Sequence, residues 1–203
     1  VAYPLCSKYL GGSGRTDAWS YDPFLSSSYQ ANLSGGISGY DRGHQIPSAD
    51  RTINSAANSQ TFYFTNMTPQ LSGFNQGLWA NLENWVRSKA TQFDTMYVVT
   101  GAILKTVGGS ETIKYATDRS GEPMAVPNYY FKVLLGRKVS TNTYSAIGFW
   151  YQHKNPSSNT VSGTACKSIR EIESLTGYNF FANLPTDIQN QVESTNNASS
   201  WGL

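Results

Sequence analysis

Between Gly77 and Phe93 the apolar residues Trp79, Leu82, Val86, Ala90 and Phe93 recur at steps of three and four. Wound at about 3.6 residues per turn they form one stripe, which predicts an amphipathic helix. Glu83 and Arg87 lie four apart on one flank of that stripe, the spacing of a modest surface ion pair. The period then changes. Met96–Ala102, Tyr129–Leu135 and Tyr144–Trp150 are rich in β-branched and aromatic residues and predict three strands, the last two joined by a polar turn around Thr141-Asn142-Thr143. Thr61–Thr65 also has strand composition and stops at Asn66, ahead of Pro69. Ser168 followed by Glu171 has capping-box spacing and opens a short helix ending near Gly177. Pro185 begins a last helix through about Val192.

Outside these segments the pattern is weak. Residues 1–60 are dominated by Gly, Ser, Asn and Tyr and predict loops with short strands, with 1–35 the loop-rich part. The polar tail 194–203 is expected to fray. No linker or repeat divides the chain, so residues 1–203 read as a single domain. Strands and helices mix without regular alternation, which makes the fold class α+β.

Composition narrows the setting. Charged residues are 14% of the chain, against about 25% in a typical globular protein, so the surface is built from neutral polar side chains. A net charge of +2 is too mild to mark a nucleic-acid binder, and any phosphate-binding surface must be local. No apolar run is long enough to span a membrane. The two cysteines, Cys6 and Cys166, are too distant in sequence for a metal knuckle; one long-range disulfide and two free thiols are both open. The missing initiator methionine and the low charge lead us to expect a trimmed, secreted protein, extracellular or periplasmic.

The candidate chemistry concentrates in Asp41-Arg42-Gly43-His44, which follows the glycine-bearing approach Gly35-Gly36-Ile37-Ser38-Gly39-Tyr40. A cation, a glycine and an imidazole in a row offer a phosphate clamp, close backbone approach and a proton acceptor. His153, the other histidine, has no partner motif and reads as a surface residue. Downstream come Asn66-Met67-Thr68-Pro69-Gln70, then Asn75-Gln76-Gly77-Leu78-Trp79, Glu83 and Arg87.

With these segments in this order, the chain resembles the DNA/RNA non-specific endonuclease family, the ββα-metal nucleases that include endonuclease G-like enzymes. The resemblance runs over roughly residues 40–185 and takes in Ile169-Arg170-Glu171, Leu175-Thr176-Gly177 and Phe180–Pro185 near the C-terminus. It implies a central, mainly antiparallel sheet flanked by helices, with a ββα-metal (His-Me finger) unit at the active site. By the same resemblance His44 is the general base and Asn75 the one direct protein ligand of a divalent metal, Mg2+ or alternatively Mn2+ or another divalent ion. Glu83 would hold metal-bound water, Arg42 and Arg87 would neutralise the phosphate, and Asn66 would support the site. Arg15 is a weaker match to an upstream phosphate-binding arginine, Asp41 is assigned a structural role, and Gln76 and Trp79 serve packing and the start of the helix. Glu83 follows Asn75 by eight positions, about 12 Å along a continuous helix, so the two would share an ion only through water, with Asn75 at a bent start of the helix.

The resemblance implies hydrolysis of DNA and RNA phosphodiesters with little sequence preference and 5′-phosphate products. Two other readings stand beside it: a non-catalytic binding domain on the same scaffold, and a phosphodiesterase acting on small nucleotides. The sequence points to no membrane and identifies no inhibitor protein; monomer and homodimer both remain open.

Overall fold

The computed structural model describes residues Val1–Leu203. Its strands are β1 (Ala2–Leu5), β2 (Asp41–His44), β3 (Met67–Gln70), β4 (Thr95–Ile103), β5 (Lys114–Thr117), β6 (Pro123–Val126), β7 (Tyr129–Lys138), β8 (Thr143–Gln152) and β9 (Cys166–Lys167). Its α-helices are α1 (Ser55–Gln60), α2 (Ala80–Ala90), α3 (Ile169–Thr176) and α4 (Thr186–Glu193). Five strands form one sheet in the order β1-β4-β7-β8-β9, every neighbouring pair antiparallel. β2 pairs with β3, and β5 with β6, as separate antiparallel ribbons.

Alternation along the strands gives the large sheet two apolar faces. Met96, Val98, Tyr130, Leu134, Ile147 and Phe149 face the helix stripe of Trp79, Leu82, Val86 and Ala90. Phe131, Val133, Leu135 and Ala146 face Ile169 and Ile172 of α3 and Val192 of α4. Helices therefore cover both faces, and the expected α+β fold with a central antiparallel sheet is present. No helix is long and apolar enough to cross a membrane.

The strands expected at Met96–Ala102, Tyr129–Leu135 and Tyr144–Trp150 form as β4, β7 and β8. α3 opens on the Ser168–Glu171 capping box and closes on Gly177 in the left-handed region, φ 74°. The helix expected over Gly77–Phe93 is two pieces: a π-helical turn over Phe74–Trp79 runs into α2.

Two expectations are corrected, and the open question of the cysteines is answered. Thr61–Thr65 is a turn leading into a 3-10 helix at Phe64–Asn66, and the strand starts only at Met67. Asn66 sets that boundary by turning its side chain inward, and Pro69 is tolerated because a two-stranded ribbon leaves one strand edge unpaired. The tail does not fray: Ala198–Trp201 forms a 3-10 helix, and Trp201, 4% exposed, packs against Trp85 and Phe93. The aromatic ring outweighs the polar residues around it. Cys6 and Cys166 are both free thiols.

Candidate active site

The β2–β3 ribbon carries His44 and packs beside the start of the long helix. The two strands are joined not by a tight turn but by residues 45–66, which include α1. Gly43 is required by close approach: a Cβ there would lie 2.2 Å from Gln70 Oε1 and 2.6 Å from Gln70 Cβ. Gln70 is fully buried, so it cannot swing aside. Asn66 braces the far end. Its Nδ2 donates to the Ile46 and Thr61 carbonyls, at 2.9 and 2.8 Å, and its Oδ1 accepts from the Ile46 amide at 3.0 Å. Asn66 thus stands behind the site, its polar atoms spent on holding the backbone just past His44.

A cleft of about 570 Å³ opens between ribbon and helix and is lined by Arg15, Trp19, Asp41, Arg42, His44, Asn75 and Glu83 among others. Five of the six candidate residues other than Asn66 thereby reach one cavity or its wall, with Arg87 the exception discussed below. The His44 ring is wedged edge-on between Trp19 and Phe62, at 5.6 and 5.0 Å between centroids. Its Nε2 has no hydrogen-bond partner. Burial pushes the imidazole down to about 4, helped by the Arg15 charge and opposed by a hydrogen bond with the Arg42 backbone and by Asp17. At neutral pH the ring is uncharged and Nε2 can accept a proton.

Across the cleft, the π-turn places Asn75 where the helix begins, and such turns concentrate at functional sites. Asp41 then orients it. One oxygen of the Asp41 carboxylate accepts from Asn75 Nδ2 and Gln76 Nε2, each at 2.8 Å; the other accepts from Ser72 Oγ at 2.7 Å. Burial alone would raise the Asp41 pKa, but these three hydrogen bonds outweigh it and lower it. The amide nitrogen of Asn75 is committed to Asp41, which leaves Oδ1 as the atom available to a ligand. Asp41 is structural, as the sequence suggested, in the sense that it fixes the amide.

The arginines divide. The Arg42 guanidinium stacks on Trp19 at 3.5 Å from the ring centroid, and one of its N–H groups donates to the Leu33 carbonyl at 2.9 Å. Arg15 donates to Asp17 at 2.8 Å and to Ser48 at 3.3 Å and also lines the cleft. Arg87, expected on the phosphate, is instead drawn away from the cavity by Asp50, with a 2.7 Å ion pair to a carboxylate on a residue only 1% exposed. It also bonds Asn84. Nor does it pair with Glu83, its neighbour by spacing. Tyr3 donates to the other Asp50 oxygen at 2.8 Å.

Glu83 stands among charges. Burial raises its pKa most; Lys132 opposes that rise, Asp50 adds to it, and Arg87 opposes it. Lys132 is itself buried, donates to Thr100 Oγ1 at 2.7 Å and sits over Trp79 at 4.9 Å. Sequence reasoning missed Lys132, Asp50 and Trp19. Lys132 had a visible signal: it is one cation inside the apolar run Tyr130–Leu135. Asp50 had none, since its partners are distant in sequence.

His153 is not the surface residue expected. Its Nε2 accepts from the Leu71 amide at 2.8 Å and its Nδ1 bonds the Pro127 carbonyl at 2.7 Å. Phe74 and Tyr130 pack around the ring. These aromatics and two backbone partners pull it inward.

An uncharged, unpartnered imidazole, two guanidinium groups and an oriented amide oxygen in one cleft describe a hydrolase for anionic esters. More particularly, the chain belongs to the DNA/RNA non-specific endonuclease family, whose family model matches residues 1–187. It is 32% identical over 203 residues to a nuclease of Nostoc sp. (strain PCC 7120), covering 96% of this chain and 70% of that protein. It is 30% identical over 161 residues to the mitochondrial Nuclease 1 of Schizosaccharomyces pombe, covering 76% of this chain and half of that one. A solved structure described as the EndoG/EndoGI complex, bearing on the mechanism of EndoG inhibition, shares the fold. Its TM-score is 0.78 at 23% identity, over 92% of this chain and 79% of that one. The mitochondrial relatives lend no support to the expectation of secretion.

Proposed function

We propose that this protein is a divalent-metal-dependent endonuclease that hydrolyses phosphodiester bonds of DNA and RNA without sequence preference and leaves 5′-phosphate ends. The observation that carries the reading is the neutral His44 imidazole, its buried Nε2 unpartnered, on a residue that lines the same cleft as Asn75, Glu83, Arg15 and Arg42. A buried polar atom without a partner is rare in a settled interior, and an uncharged imidazole at a cleft is the group a general base needs.

The His44 imidazole removes a proton from water as the water oxygen bonds to phosphorus, and the bond from phosphorus to the sugar 3′ oxygen breaks, that oxygen taking a proton from solvent water. Arg42 holds the phosphate, its plane fixed by Trp19. Arg15 adds a second cation at the rim. No group of three or more His, Cys, Asp or Glu residues gathers in the chain, so no all-protein metal cage exists. The donors present, the Asn75 amide oxygen with Glu83 on the same wall, fit an ion that keeps most of its water, as magnesium does. Asn75 would hold such an ion directly and Glu83 would hold it through water, and when bound it would supply positive charge to the phosphate. Cations and an amide read phosphate rather than bases, which accounts for the absence of sequence preference.

Nicking of supercoiled plasmid tests the reading. The wild-type protein should cut with magnesium, stop with a chelator, and lose cutting in His44→Ala. A folded His44→Ala variant that cuts at the wild-type rate would end the proposal.

A further inference from the structure

The segment Tyr21–Gln30 projects large aromatic rings into solvent beside the cleft. Phe24 is 90% exposed and Tyr29 81% exposed. Such exposure is ordinary in a loose loop, but this loop is built. Gln30 Nε2 donates to the carbonyls of Asp22 and Leu25, at 2.9 and 2.7 Å, and its Oε1 accepts from the Asp22 amide at 2.8 Å. The Asp22 carboxylate caps the Phe24 amide at 2.9 Å and takes the Thr65 hydroxyl at 2.8 Å. Tyr21 packs edge-on against Phe64 and anchors the base of the loop. A hydrogen-bonded loop that holds a phenyl ring in water forgoes the burial that normally stabilises such a ring.

The position of the loop says what meets it. Both stems end at Arg42: Trp19 lies under the guanidinium, and the Leu33 carbonyl accepts from it. On the far stem the Arg119 amide donates to the Asn32 carbonyl at 2.9 Å. The Arg119 side chain lies over Gly35, next to Gly36 of the cleft lining, and pairs with no carboxylate. Two cations, Arg42 and Arg119, therefore stand at the stems of the loop. Segment 21–30 holds no lysine or arginine, unlike a loop made for an anionic membrane.

We propose that this loop is a base-stacking arm, with Phe24 as the ring that stacks on an unpaired base of the nucleic acid whose phosphate sits at Arg42. The inference rests on the nuclease reading and adds a preference to it: strands with unstacked bases near the cut are favoured. Phe24 follows Trp19 by five positions, at most about 17 Å of chain. The stacked base thus lies within about five nucleotides of the scissile phosphate, at about 3.4 Å per nucleotide.

The test uses the full chain. Phe24→Ala should lower kcat/KM on single-stranded DNA about tenfold, mainly through KM, the size typical of one lost base stack. Cleavage of bis(p-nitrophenyl) phosphate, which has no base to stack, should stay within twofold, and Phe24→Trp should restore the polymer rate. In a His44→Ala background, an oligonucleotide carrying 2-aminopurine should be quenched on binding, and Phe24→Ala should abolish the quenching. Equal loss on both substrates, or no loss on the polymer, overturns the arm. So does a wild-type dimer that dissociates in Phe24→Ala, which would give the ring to a second copy of the chain. Quenching without any cleavage by the wild-type protein would sink the nuclease reading and leave the arm standing.

Discussion

The chain has two histidines, and their surroundings are nearly alike. Each ring is half-buried among aromatics, each is pushed toward the neutral form by burial, and each sits beside the β2–β3 ribbon or the segment that follows it. They differ in the state of one nitrogen. His153 has both ring nitrogens satisfied by backbone, Leu71 on one side and Pro127 on the other. His44 lines a cleft, and its Nε2 is buried with no partner. Burial alone therefore does not separate the two rings; hydrogen-bond satisfaction does, and it is what makes His44 the proposed base.

The comparison breaks most directly at His44. His44→Ala should reduce cleavage by roughly 10²–10⁴-fold, the range for a lost general base. Its melting temperature should hold or rise, because an unsatisfied buried atom is removed. Matched kinetics and thermal melts would show it, and intact activity with lost stability would reverse the assignments. The converse change, His153→Ala, should cost about 2–4 kcal/mol in chemical denaturation by stranding the Leu71 amide and the Pro127 carbonyl. Its kcat on folded protein should stay within a few fold.

A third substitution asks whether the amide across the cleft is as fixed as the imidazole is free. Asp41→Ala releases Asn75 and Gln76 and should lower activity about ten- to a hundredfold, the usual effect of losing a group that orients a ligand. Half-maximal activity should then need more magnesium; a rate unchanged at every magnesium concentration would show that Asp41 does not orient Asn75.

The smallest effect is the pH dependence of stability. For His44 the folded pKa, about 4, lies below the unfolded value near 6.5, so between these pH values the unfolded chain binds more protons. Stability from the neutral ring is complete above about pH 6.5 and is lost as pH falls toward 4. His44→Phe should flatten that part of the urea-midpoint profile and leave the part from His153, whose pKa is lowered in the same sense.

The helix stripe and the three long strands were legible because their periodicity is local. Trp79, Leu82, Val86 and Ala90 announce a buried face wherever the helix packs. The short strands β1, β5, β6 and β9 were not legible, since runs of two to four residues become strands only when a partner lies alongside. In the site, His44, Asn75, Glu83 and Arg42 could be read from ordered motifs. The destination of Arg87 could not: its spacing to Glu83 suggested a flank pair, and the carboxylate that claims it sits 37 positions away at Asp50. Trp201 misled for a similar reason, as one ring in a polar tail gives no period.

The ribbon bearing His44 closes only after residues 45–66 have been laid down, and the charges around Glu83 include Lys132 from a strand of the large sheet. A chain still leaving the ribosome thus holds the imidazole long before it holds the sheet behind the carboxylate. The complete set of side chains around the cleft is therefore assembled with the finished fold rather than with the motif.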